Sequence, residues 1–185
     1  MNSTLILAMA FTASSFITSI EKKVDVDNSK ITWKGHKVTG EHDGYIILQK
    51  GALQFDDKNQ LTGGTFVMDM TTLTVTDLEG EMKGKLEGHL KSDDFFSTDK
   101  HTEAKFVITN VSGKDGKYKV TGDLTIKGIT NPNTFDMIIS GNTAKADLKV
   151  DRTKYDIKFR SASFFDNLKD KAIYDNFDLH VNLKF

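Results

Sequence analysis

Two clusters of ionisable side chains hold whatever chemistry this 185-residue chain could perform. The first is His36, Glu41, His42 and Asp43. Imidazole and carboxylate together can hold a transition metal, but the spacing here matches no known site geometry. The same four residues also read as a polar, solvated hairpin turn. The second cluster is His89 with Asp93 and Asp94, just ahead of Phe95-Phe96. It is open to three readings: bonds that fix the following turn, contact with a ligand headgroup, or catalysis. His101 and His180 fall at exposed-looking positions and join neither cluster. No nucleophile elbow, phosphate-binding loop, dinucleotide fingerprint or metalloprotease motif is present. The chain has no cysteine, which removes disulfides, thiol nucleophiles, Cys-ligated metals and a lipidated N-terminal Cys. The expectation is a protein with no catalytic residue, no metal and no cofactor.

Side chains this sparse in chemistry must be set in place by something, and the pattern around them is that of strands. One domain is expected from the length, with a core of real size. The formal net charge of −1 offers no basic field for nucleic acid or an anionic membrane. Thirteen Phe against one Pro and one Trp is an unusual bias for a chain of this size.

Strict period-two alternation runs through Phe177, Leu179, Val181, Leu183 and Phe185, with Asp178, His180, Asn182 and Lys184 between them. The same alternation marks Ile31-Trp33, Phe66-Met68-Met70, Ala104-Phe106-Ile108 and Tyr118 to Ile126. It continues in Phe135-Met137-Ile139, Ala144 to Val150, and Tyr155-Ile157-Phe159. Turn signals separate these runs at Asp25–Ser29, Asp56–Asn59, Gly113–Gly116, Asn131-Pro132-Asn133 and Ser140-Gly141-Asn142. Eight or nine antiparallel strands follow, because the links are too short for crossovers. So many one-sided strands call for a closed barrel or a sandwich. One helix is expected at about 78–91, where Leu78, Met82, Leu86 and Leu90 recur every fourth residue and Asp77 can cap the start. Gly80, Gly84 and Gly88 weaken it, so it must lie on something, and a barrel opening is the natural seat. A second helical turn is expected around Asp166–Ala172.

Two blocks sharpen the choice. His89-Leu90-Lys91-Ser92-Asp93-Asp94-Phe95-Phe96, followed by Ala104-Lys105-Phe106, precedes Gly122-Asp123-Leu124-Thr125-Ile126-Lys127-Gly128-Ile129-Thr130-Asn131-Pro132. In this order they resemble the signature of the YceI-like family, and a weaker likeness runs from about Val24 to Phe185. Where that family usually has an aromatic and a Pro before the Ala-x-Phe strand, this chain has His101-Thr102-Glu103. The resemblance implies an all-β, antiparallel, roughly eight-stranded lipocalin-like barrel over 21–185, exported across the bacterial inner membrane and holding a polyisoprenoid or related lipid. It also implies that His89 and Asp94 are structural: the imidazole bonds the following turn and the carboxylate caps backbone amides around Phe95-Phe96.

The inward positions Trp33, Phe66, Met68, Phe106, Phe135, Met137 and Phe159 form the expected lining, with Met82, Leu86, Phe95 and Phe96 contributed by the helix and its following turn. Such residues could equally fill a solid core. An eight-stranded bore is just wide enough for one ligand, and Phe and Met suit a long flexible chain gripped by area. The expected function is therefore capture and release of a mostly hydrocarbon lipid, polyprenyl or acyl, with no bond chemistry. No buried charge is expected inside. A filled structural barrel and an isoprenoid-modifying enzyme are the alternatives. The partners expected are a hydrophobic lipid and no nucleic acid, with a homodimer as the assembly to test.

Residues 1–20 carry no Asp, Glu, Lys or Arg, and Leu5 to Phe11 is an unbroken apolar run followed by small residues at Ala13, Ser14, Ser15 and Ser19. This is the pattern of a secretory signal peptide, too short for a comfortable membrane span, and together with the resemblance it makes the periplasm the expected location. Only Asn2, Ser3 and Thr4 precede the apolar run, so the usual positive start is missing. N-terminal sequencing of periplasmic protein should find a mature start between Ser14 and Lys23, whereas an intact Met1 would contradict export.

Overall fold

The computed structural model describes residues 19–185. The expected signal segment lies, up to residue 18, outside the described residues. Nine strands follow: β1 (Ile20–Lys23), β2 (Asp25–Lys37), β3 (Gly40–Phe55), β4 (Leu61–Val75), β5 (Glu103–Lys114), β6 (Lys117–Ile126), β7 (Ile129–Ser140), β8 (Thr143–Asp151) and β9 (Ile173–Lys184). One α-helix, α1 (Gly80–Lys91), lies between β4 and β5.

Every pairing is antiparallel, and the order β3-β2-β9-β8-β7-β6-β5-β4 closes because β4 also pairs with β3. The result is a closed eight-stranded barrel. β1 pairs with Ala52–Phe55 of β3, whose other edge is already taken by β4, so β1 extends the line of β2. The Asp25–Ser29 turn signal is realised as a bulge in β2. Asp25 pairs with Lys184 and Lys30 with Asn182, and the Asp25 carboxylate accepts from Asn28 across the extra residues.

Inward faces follow the alternation. Tyr118, Val120, Leu124 and Ile126 of β6 are buried, as are Ala144, Ala146, Leu148 and Val150 of β8. Three expectations need correction. Tyr155-Ile157-Phe159 is not a strand: Asp151 accepts from the Thr153 amide at 3.0 Å and starts a 3-10 turn over Arg152–Tyr155, and Asp156 is left-handed at φ 57°. Apolar spacing there reflects packing of a folded loop against the barrel end. Asn131-Pro132-Asn133 is not a turn but lies within β7, paired to Leu124, Asp123 and Gly122. The chain reverses earlier, at Lys127-Gly128, both with positive φ (54° and 75°), the geometry of a two-residue hairpin. Pro132 is tolerated because β8 pairs only with Met137–Ser140, so this half of β7 has an open edge. Finally, Asp77 does not cap α1. Glu79 occupies that position without a side-chain bond, and Asp77 turns back to His42 and the Asp43 amide instead. The expected second helical turn is present as a short 3-10 turn over Lys169–Lys171.

β2 and β9 form the seam where the N- and C-terminal strands meet. His36 Nε2 lies 2.7 Å from Asp178 Oδ2 across it. That bond, with Lys149 adding a weaker pull, holds the Asp178 carboxyl below the usual carboxylate range despite partial burial. A carboxyl with a depressed folded pKa stabilises the fold above its unfolded value of 3.8 and ceases to do so as pH falls through the folded value. Asp178→Asn should therefore cost about 1 kcal/mol at neutral pH. Denaturant melts at pH 7 and pH 3 should show the gap between the two proteins shrinking in acid. An undiminished gap at pH 3 would contradict the carboxylate's role.

Candidate ligand-binding site

The bore holds two apolar cavities end to end. The larger, about 140 Å³, lies under α1. Trp33, Met70, Phe95, Phe96 and Phe177 are in its wall, with Leu86 and Leu90 from the helix above. The smaller, about 60 Å³, lies deeper among Phe66, Phe106, Phe135 and Met137. Ile46, Met68, Leu124 and Leu179 line both, so they stand between the two chambers. Beyond the lower chamber the bore is plugged by Phe55, Val120 and Leu183, with Phe185 tilted against Phe55 at 5.8 Å.

The space comes from small side chains opposite large ones. Ala104 pairs with Met68, and Ala146 pairs with Met137 and Val181; neither alanine reaches across the bore. Gly44 does similar work beside Trp33. A Cβ on Gly44 would sit 2.6 Å from the indole and 1.8 Å from the Thr74 carbonyl, so only glycine lets the Trp33 ring lie there. The Phe66 and Phe106 rings stack at 6.5 Å, and Phe106 meets Phe135 at 5.4 Å, which gives the lower chamber a continuous aromatic wall.

α1 is seated by few contacts. Leu90 is buried and Leu86 half-buried, while Glu87 Oε1 accepts from the Val75 amide at 2.9 Å at the end of β4. After the helix, the Phe96 amide returns to the Leu90 carbonyl at 3.1 Å, turning Phe95 and Phe96 inward over the chamber.

Of the eleven expected lining residues, nine are placed in the two walls and two are not. Met82 is 62% exposed on the outer face of α1, because the helix begins at Gly80 and only its second half rests on the barrel. Phe159 lies outside both cavities, edge-on to His89 at 4.4 Å and tilted against Phe95 at 6.3 Å, because it belongs to the folded loop after β8. The expected roles of His89 and Asp94 also change. The His89 ring is wedged between Phe95 and Phe159, and its Nε2 is buried without a hydrogen-bond partner. Asp93 fixes the turn in place of Asp94, accepting from the Ser97 hydroxyl and the Lys100 ammonium. His36, Glu41, His42 and Asp43 straddle the β2–β3 hairpin, where His36 Nδ1 lies 3.6 Å from Glu41 but the four side chains do not converge on one point. His36 pairs with Asp178, His42 with Asp77 at 2.7 Å, and Asp43 accepts from Thr76.

One charge is buried at the upper chamber, contrary to expectation. Arg152, 2% exposed, donates to the carbonyls of Ile157 (2.7 Å), Ile173 (2.9 Å) and Tyr174 (3.0 Å) and stands over the Phe95 ring. Burial pushes its pKa down, opposed by Asp175 and Asp151. Its donors are spent on the two ends of the loop that joins β8 to β9. It acts as a pin for that loop, and nothing in the sequence pattern around it signals the role.

The family model for the YceI-like domain matches residues 23–185. A UPF0312 protein of Photorhabdus laumondii is 32% identical over 131 residues, 68% of this chain and 64% of that protein. One from Staphylococcus aureus is 39% identical over 102 residues, 52% of this chain and 57% of that protein. The chain thus spans less than two thirds of the length of these curated relatives. Among solved structures, BcnA of Burkholderia cenocepacia superposes with a TM-score of 0.62 at 20% identity, covering 86% of this chain and 98% of BcnA. A polyisoprenoid binding domain from Saccharophagus degradans gives 0.57 at 12% identity, covering 91% and 99%. At these identities the likeness is one of fold. With the family model spanning nearly all of the barrel, the chain belongs to the YceI-like family.

Proposed function

We propose that this protein is an exported, non-catalytic lipid carrier that holds one long apolar chain along the bore. The observation behind this reading is the pair of adjoining cavities, walled almost wholly by carbon and divided by shared side chains of which Met68 is the most pliable. A slender chain fits such a space better than a compact ligand. Among the described residues no group of three or more His, Cys, Asp or Glu side chains converges as a metal site would require. His36 and His42 stand among the residues lining the upper chamber, but each has a ring nitrogen bonded to a carboxylate, Asp178 and Asp77 respectively. Affinity in this reading comes from burying methylenes, each contributing about 0.8 kcal/mol, so it should rise with chain length until the lower chamber is full. The upper chamber offers little polarity: Trp33 Nε1 and His89 Nε2 are buried without partners. A small polar terminus on the chain suits that end, since either nitrogen could bond it after a slight ring movement. The Saccharophagus relative's description as polyisoprenoid binding agrees with the class of ligand.

Filling the lower chamber separates this reading from a solid structural barrel. Met137→Phe and Phe135→Trp add volume there. In a packed core such overpacking costs about 1–3 kcal/mol, whereas in an empty chamber it costs less. Binding of geraniol, farnesol and geranylgeraniol, followed by calorimetry, should show both variants nearly as stable as the parent but with the preference shifted toward the shorter alcohols. A large drop in melting temperature with no change in preference would mean that the interior is filled and the carrier reading is wrong.

A further inference from the structure

An apolar ligand must enter from somewhere, and a loop at the rim of the upper chamber carries exposed aromatic side chains. Phe164 and Phe165 are adjacent and each 51% exposed, at the tip of the loop between Arg152 and β9. Isolated exposed apolar residues need no explanation, but two neighbouring Phe side chains in water are a persistent cost. They are not there through looseness. The Phe164 and Phe165 amides both donate to the Ser161 carbonyl, the Ile173 amide donates to Arg160 at 2.9 Å, and Ser163 bonds Asp175. Four residues of this loop, Asp156, Arg160, Asn167 and Lys169, have left-handed backbone, a shape held by those bonds and by the Arg152 pin.

The loop joins the chamber directly. Its far end runs into Ile173 and Tyr174, both in the chamber wall, with Tyr174 also 55% exposed. Val38, another exposed apolar residue, bonds through its amide to Ala172. Along the loop itself the charges sum to a positive excess, with Lys158 paired to Asp156 at 2.8 Å. Between residues 153 and 172 stand Lys154, Lys158, Arg160, Lys169 and Lys171 against Asp156, Asp166 and Asp170, an excess of two in a chain whose net charge is −1. The Lys158 ammonium lies 5.2 Å from the Phe164 ring centre.

We infer that the 158–174 rim docks on an anionic phospholipid bilayer, with Phe164 and Phe165 entering the acyl boundary and the surrounding lysines meeting phosphate. Aromatic tips set among cations are the composition that binds such an interface. Charge complementarity and continuity with the chamber favour a bilayer over an acidic protein: a hydrocarbon chain leaving the bore would pass into lipid without crossing water. The purpose assigned to the surface rests on the carrier reading, but the binding itself does not. Vesicle association can fail while lipid remains in the bore, and the reverse.

The test is co-sedimentation of purified protein with vesicles of phosphatidylglycerol and phosphatidylethanolamine in equal parts, beside vesicles of phosphatidylcholine alone. The parent should sediment with the anionic vesicles, less at high salt, and weakly with the neutral ones. The double variant Phe164→Ser/Phe165→Ser and the charge variant Lys169→Glu/Lys171→Glu should each lower the bound fraction by about tenfold. Ile138→Ser, which removes an exposed apolar side chain on β7, should leave it unchanged. Melting curves confirm that each variant is folded. A parent that stays in the supernatant, or an aromatic double variant that binds as the parent does, overturns the proposal. So does crosslinking through position 164 to a protein in the absence of any vesicle binding.

Discussion

Closure of the ring is the constraint on which the rest depends. β2, near the start of the chain, must pair with β9 at its end, as Trp33 does with Leu179, before the eight strands form a ring. Once eight strands close, the bore has a set width that side chains must either fill or leave open. Everything functional is then decided by side-chain size at inward positions. Phe55, Val120 and Leu183 fill one end, while Ala104 and Ala146 leave room toward the other. The cost of closure is a long-range pairing that the chain must find late, stabilised across the seam by His36 and Asp178.

The two ends of the barrel are built differently. At the plugged end, strands are joined by short hairpins such as the one between β7 and β8. At the chamber end lie the long excursions: α1 with the Phe95-Phe96 turn, and the loop pinned by Arg152. The first is held by few contacts. α1 rests on Leu86, Leu90 and one Glu87–Val75 bond, and three glycines deprive it of intrinsic stability. A cover held this lightly is drawn from the low-stability part of the structure, where opening to a ligand costs least. The rigid wall and the light cover are separate parts of the chain, so one can move without loosening the other.

Much of this was legible in the sequence, and the failures have identifiable causes. Alternation revealed β6, β8 and β9 because both faces kept one phase throughout. It failed to reveal β3, whose inward residues are Gly44, Ile46 and Leu48 and then Leu53 and Phe55. A bulge between Leu48 and Lys50 shifts the phase by one, which erases a period-two signal over the whole strand. The same rule misread Tyr155–Phe159, where apolar spacing came from a loop packing on the barrel. Nine lining residues were legible from type and phase, but the cavities themselves were not. They arise from which small residue lies beside which large one around the ring, and that depends on strand order and register. Arg152 was hidden for a related reason: its three acceptors are backbone carbonyls, which leave no mark on the sequence.

The central claim is that the bore carries a lipid chain. Native mass spectrometry of protein purified under gentle conditions, followed by organic extraction and identification of the released material, addresses it most directly. Occupancy by a single long hydrocarbon species, released on denaturation and recovered in the extract, is the predicted result. Protein that flies only at its bare mass, and that takes up no prenyl or acyl chain when one is supplied, would contradict it.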